Sequence, residues 1–122
     1  MKVKYYDLEN KRVFITGGGS GIGASIVEHF CEQKAEVYFI DINEDESNKL
    51  ISECKNKNFS VPNFIKCDLL NIKELQSTIS KIISEKGPIE ILINNAANDE
   101  RHKIEDVTEE IWNDRMNVNL RH

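Results

Sequence analysis

Five glycines and a serine crowd into eight residues, Thr16-Gly17-Gly18-Gly19-Ser20-Gly21-Ile22-Gly23. Such a stretch lets backbone approach a ligand where any Cβ would clash. It follows an apolar run, Arg12-Val13-Phe14-Ile15, and opens a segment whose apolar residues recur at helical spacing. A helix starting there turns free N–H groups and the positive end of its dipole toward an anion. Asp41 stands 18 residues beyond Gly23, at the end of a second apolar run, Glu36-Val37-Tyr38-Phe39-Ile40. A carboxylate near that spacing accepts from both hydroxyls of a ribose. An anion cradle followed by a diol acceptor is the chemistry of holding a dinucleotide. The cofactor is expected on the turn of Gly17, Ser20, Gly21, Ile22 and Gly23, with Gly17 and Gly21 allowing close approach of the pyrophosphate and Gly23 close helix–strand packing, and the ribose on Asp41. Asp41 would repel a 2′-phosphate, and neither Ser20 nor Ile42 offers a cation, so NAD is expected rather than NADP. No Gly-Lys-Ser/Thr follows, which excludes the phosphate loop of nucleotide hydrolases. A plain turn and a helix cap would use the same residue types; their succession across one strand–helix unit favours the dinucleotide.

These groups need an alternating scaffold, and the pattern supplies one. Strands are expected at residues 12–16, 36–40, 63–67 and 89–94. The helix at 21–34 carries Ile22, Ile26 and Phe30 on one stripe, with Val27 and Cys31 beside it. The helix at 44–56 is polar, with Leu50, Ile51 and Cys54 on one side and Asp45–Lys49 and Lys49–Glu53 spaced for ion pairs on the other. A third helix follows Asn71, with Glu74 at the capping-box position, and has Ile72, Leu75, Ile79, Ile82 and Ile83 as its core face until Gly87-Pro88 stops it. A polar loop and a helix led by Thr108-Glu109-Glu110 come last. Repeated units of this kind predict a Rossmann-like, doubly wound α/β fold with parallel strands and right-handed crossovers, as one domain over residues 1–122. Strand four does not alternate with polar residues, so both of its faces are expected to be buried. As the last strand it would be an apolar edge, which natural sheets avoid. With the uncapped final helix, this predicts a sheet truncated after its fourth strand and a chain that is a piece of a longer protein.

Composition narrows the partners. A net charge of −5 without a basic stripe argues against a nucleic-acid surface. No stretch approaches the length of a membrane span, and the first residues lack a signal peptide's apolar core. Cys31, Cys54 and Cys67 are odd in number and far apart, as expected of reduced thiols in a cytoplasmic protein. His29, His102 and His122 do not fall at ligand spacing with cysteines or carboxylates, so no metal is expected.

The chain resembles the short-chain dehydrogenase/reductase family. Thr16-Gly17-x-x-x-Gly21-x-Gly23 is similar to the family's cofactor motif. Cys67-Asp68-Leu69 is similar to the segment after strand three that touches adenine. Asn94-Asn95-Ala96-Ala97 is similar to its Asn-Asn-Ala-Gly, and Asn117-Val118-Asn119-Leu120 to the segment carrying its helix asparagine. The resemblance implies an oxidoreductase moving hydride between an alcohol and NAD. It implies that Asp68 and Leu69 meet the adenine, that Asn95 lines the nicotinamide side, and that Asn119 anchors a water in the proton relay. Ala97 replaces the family's glycine, so its backbone should avoid positive φ. The family's catalytic serine and Tyr-x-x-x-Lys would lie beyond this chain, since none of Tyr5, Tyr6 and Tyr38 has lysine four residues on. The cofactor half alone should therefore be inert. Its parent is expected to be a homo-oligomer, as family members often are.

The loop Asn98-Asp99-Glu100-Arg101-His102 follows strand four at the ligand edge of such a sheet. Its density of donors and acceptors suits a hydroxyl-rich small molecule. It also resembles the loop of family members that oxidise free sugars. Two other classes share the glycine turn and the acidic end of strand two: a dinucleotide-sensing module without chemistry, and a methyltransferase, against which Asn94–Ala97 argues.

Overall fold

The computed structural model describes residues 3–98 and 100–121; Asp99, His122 and the first two residues fall outside the described set. Four parallel strands form one sheet in the order β3-β2-β1-β4, from β1 (Arg12–Thr16), β2 (Glu36–Asp41), β3 (Asn63–Lys66) and β4 (Ile91–Ile93). The connecting helices are α1 (Gly21–Glu32), α2 (Glu44–Asn56) and α3 (Ile72–Lys86), with α4 (Glu109–Met116) after β4. This is the doubly wound α/β arrangement.

Alternation along the strands divides the core into two layers. Val13, Ile15, Val37 and Phe39 pack with Val27 and Cys31 of α1 and Leu50 and Cys54 of α2 on one face. Phe14, Tyr38 and Ile40 pack with Cys67 and with Leu75 and Ile82 of α3 on the other. β1 and β2 are therefore buried on both sides, which is why they read as unbroken apolar runs.

Local signals set the ends of the elements. Asn43, Asn71 and Thr108 each accept a backbone N–H three residues on, capping α2, α3 and α4. Gly87, at φ 105°, ends α3. α1 stops two residues earlier than the pattern predicts because Lys34 takes a left-handed turn at φ 63°.

Three expectations need correction. The buried stripe of α1 is Gly23, Val27 and Cys31, while Ile22 is 77% exposed. The helix packs so closely through a glycine that its contact line cannot be read from apolar residues alone. The spaced charges of α2 do not close on one another; among the described residues, the ion pairs at this helix are Lys57–Glu28 and Lys66–Glu44. β4 is three residues long and half-buried, on one face only. Ile91 and Ile93 pack toward α1 and α2, but Leu92 is 57% exposed because β4 is the sheet edge.

Candidate cofactor site

The site lies at the carboxyl ends of β1, β2, β3 and β4, at the switch point where β1 neighbours both β2 and β4. The N–H groups of Gly17 and Gly18 both donate to the Ile40 carbonyl, bending the chain off β1 across the end of β2. Gly17 sits at φ 67° against Ala96, where a Cβ would stand 2.9 Å from the Ala96 Cα. At Gly23 a Cβ would lie 1.9 Å from the Gly17 carbonyl oxygen, so only glycine lets α1 start this close to β1. A Cβ on Gly21, by contrast, would point into open space.

α1 begins differently from its neighbours. Its N-cap, Ser20, makes no side-chain capping bond, whereas Asn43, Asn71 and Thr108 all do. The first-turn N–H groups and the serine hydroxyl are left to face the cleft, an arrangement suited to an anion.

Asp41 ends β2 beside this turn. One carboxylate oxygen accepts from the Gly19 N–H at 2.9 Å, the other from the Asn43 N–H at 2.8 Å. Each oxygen keeps a further lone pair, so the carboxylate is oriented yet still able to accept from a diol. Asp68 is exposed and accepts from the Leu70 N–H at 2.9 Å, the turn role expected of a strand-end aspartate. Its second oxygen has no such bond among the described residues. Leu69 packs partly against the core beside it.

Thr16 and Asn95 join the two halves of the sheet. The Asn95 side-chain amide donates to the carbonyls of Thr16 and Gly17 at 3.2 and 3.1 Å. The Thr16 hydroxyl accepts from the Asn95 and Ala96 N–H groups, both at 3.1 Å. Ala97 has no positive φ, as expected. Thr16 opens the cofactor motif in the sequence, but its hydroxyl's bonds to Asn95 and Ala96 have no local signal beyond a hydroxyl ending an apolar strand.

Nine residues expected at a cofactor, Gly17, Ser20, Gly21, Ile22, Gly23, Asp41, Asp68, Leu69 and Asn95, line one cleft of about 860 Å³. Its ionisable lining comprises Asp41, Cys67, Asp68 and Asp114, with no lysine or arginine among the described residues. Burial pushes the Cys67 thiol above its ordinary value, with the charges of Glu74 and Asp68 adding to the effect. A smaller apolar hollow of about 330 Å³, between Tyr5, Leu8 and α1, lacks this convergence of polar groups. No group of three or more metal-ligating residues assembles among the described residues.

Asn119 does not line the cleft with the nine. It sits in a single π turn, Asn117–Arg121, that continues α4. Its side-chain oxygen accepts from the Asn98 N–H at 2.7 Å, and its amide donates to the Asn98 carbonyl at 3.1 Å. Asn98 itself lines the cleft, as do Asp114 and Val118.

The family model described as short chain dehydrogenase matches residues 11–121. The chain belongs to the short-chain dehydrogenases. A D-xylose 1-dehydrogenase of Caulobacter vibrioides is 45% identical over 118 residues, covering 97% of this chain and 46% of that protein. A "probable galactose dehydrogenase" of Rhizobium meliloti is 40% identical over 119 residues, covering 98% of this chain and 46% of its own length. An aldohexose dehydrogenase of Thermoplasma acidophilum, solved ligand-free, superposes with a TM-score of 0.78 at 29% identity, covering 95% of this chain and 41% of that one. This short-chain dehydrogenase chain thus spans about half the length of the curated relatives it matches. No described helix is long and apolar enough to cross a membrane.

Proposed function

We propose that the full-length protein is an NAD-dependent oxidoreductase that oxidises a polyhydroxylated alcohol, most simply an aldose at its anomeric carbon to give a lactone. Residues 1–122 form its NAD-binding domain. The observation that carries this reading is the meeting, in one cleft, of an uncapped α1 N-terminus with the oriented carboxylate of Asp41. The first-turn N–H groups of α1, with Gly17, Ser20, Gly21 and Ile22, take the pyrophosphate, and Gly23 lets α1 start close enough to β1 to present them. Asp41 takes the ribose hydroxyls, Asp68 and Leu69 the adenine, and Asn95 borders the nicotinamide side while holding the glycine turn. Asn119 belongs to the proton relay and holds Asn98 in place. Bound NAD supplies the hydride acceptor.

NAD is favoured over NADP because the cleft carries three aspartates and no cation among the described residues, and a 2′-phosphate there would be repelled. The sugar reading is supported by the relatives whose names specify sugars and by the polar segment after β4. Three free cysteines fit a reducing compartment, which we take to be the cytoplasm, and we take the working enzyme to be a homo-oligomer.

The test is a panel of aldoses, sugar acids, simple alcohols and steroids offered to the full-length protein with NAD or NADP, following reduced cofactor. Aldoses with NAD should exceed simple alcohols by more than tenfold in kcat/KM, as expected of a site built to bond hydroxyls. Equal rates with simple alcohols would remove the sugar assignment. Tighter binding of NADP would remove the NAD assignment.

A further inference from the structure

We propose that Arg115 is a positioning residue for the substrate, acting through Glu100 and His102; this rests on the sugar-dehydrogenase reading above. Arg115 lies on the last turn of α4, with its side chain only 21% exposed although Trp112 on the same helix is 60% exposed. Its Nη2 donates to Glu100 Oε2 at 2.7 Å and to His102 Nε2 at 3.3 Å. Its Nη1 pairs with Asp114, which lines the cleft. One guanidinium therefore ties together three polar side chains: Asp114, which lines the cleft, and Glu100 and His102, 15 and 13 residues upstream on the exposed segment that leads out of the cleft from Asn98.

The chemistry of the fork sets the state of its partners. Arginine has donors and no acceptor, so His102 must accept at Nε2 and carry its proton on Nδ1. That leaves the imidazole a defined N–H donor rather than a ring free to take either tautomer. Glu100 keeps its other oxygen as an acceptor. The positive charge of Arg115 is met by Glu100 and Asp114, so the clamp does not present a bare cation. A donor and an acceptor held at fixed places beside a neutralised cation suit a neutral polyol better than a sugar acid or a sugar phosphate. The segment is anchored a second time by Asn119 on Asn98, so both fastenings come from α4 and its π-turn continuation. A lysine would not replace Arg115, because an ammonium is a point donor and cannot hold two partners in a plane.

The experiment uses the full-length protein and its best aldose. Arg115→Ala should raise the aldose KM roughly ten- to hundred-fold, as expected when a reactant loses its fixed orientation. The KM for NAD should stay within about twofold, since no bond of the clamp reaches the glycine turn. Arg115→Lys should recover only part of the loss. Glu100→Gln, on the exposed segment and without risk to the core, should raise the aldose KM in the same direction. Adding it to Arg115→Ala should cost little more than Arg115→Ala alone, because the two act through each other. Trypsin should cut after Arg101 or Lys103 faster in Arg115→Ala than in the wild type. An unchanged aldose KM, full rescue by lysine, or an unaltered cleavage rate would each overturn the proposal while leaving the sugar reading intact. A wild type that oxidises no sugar would sink that reading, and the clamp's role in sugar binding with it.

Discussion

Around Gly23 the chain has no room to move; at Leu92, on the edge strand, the side chain stands largely in water. The amino-terminal units build their share of the cleft from backbone contacts, such as the close approach of α1 to Gly17 and the paired N–H groups of Gly17 and Gly18 on Ile40. Those residues sit between two packed layers. The carboxyl-terminal segment builds its share from a three-residue edge strand and a few side-chain bonds, those of Asn95 to Thr16 and Gly17 and, beyond them, of Asn119 and Arg115. Local packing fixes the first region before any ligand arrives. The second depends on single polar groups, each of which can be removed without disturbing the core. A cofactor shared across a family calls for the first kind of construction, and a substrate that differs among relatives suits the second.

Substitution at Gly23 should break the first region outright. Gly23→Val drives a side chain into the Gly17 carbonyl and should cost about 3 kcal/mol, lowering the melting temperature by roughly 10 °C and abolishing NAD binding. Calorimetry with a cofactor titration checks both, and a variant that melts with the wild type would mean that α1 can shift away from β1.

Asp41→Ala should leave folding nearly intact but weaken NAD roughly ten- to hundred-fold, the cost of losing bonds to a charged acceptor. The preference over NADP should narrow at the same time. Competitive titration of the two cofactors against the full-length protein measures the shift.

Alkaline titration separates the regions by their buried ionisable groups. Burial raises the Cys31 and Cys54 thiols above the ordinary 9.0 and pushes the Tyr38 hydroxyl up to about 12. All three lie in the packed layers around β1 and β2. The unfolded chain loses these protons first, so stability should hold below pH 9 and fall as the pH rises above it. The loss should be about 1.4 kcal/mol per thiol per unit at most. Urea midpoints at pH 7, 9 and 10.5 test the sign, and Cys31→Ala with Cys54→Ala should flatten the curve.

The smallest effect is expected at the edge. Leu92→Thr should change stability by less than about 0.5 kcal/mol and leave the NAD affinity untouched, because the side chain is already largely in water. A loss as large as that at Gly23 would mean that the edge is covered in solution.

The same contrast marks what the sequence could reveal. The glycine turn, Asp41 and the strand alternation are local signals, and all nine expected cofactor residues fall on one cleft. The buried line of α1 departs from the apolar pattern because a glycine at the tightest contact leaves a gap in it, so that Ile22 has the spacing of a core residue without being one. β4 is shorter than its apolar run predicts, because an edge strand and a central one share the same apolar residues. Arg115 went unnoticed because nothing near it in the chain names Glu100 or His102 as partners; only the return of α4 along the loop brings them together. The role of the Thr16 hydroxyl is hidden in the same way, since it serves residues 79 and 80 positions away.

The π turn at Asn117–Arg121 gives the final segment a different screw pitch from the α4 helix that leads into it. Each residue there advances the chain through a smaller rotation, so the thread is cut for a particular number of positions between Asp114 and Asn119. Removing one residue would not shorten a tether, as it would in a surface loop. It would turn every later side chain about the axis, swinging Asn119 off Asn98 and Val118 off the cleft together. Tolerance to length changes should therefore vanish over these five residues, although most of their side chains stand in water.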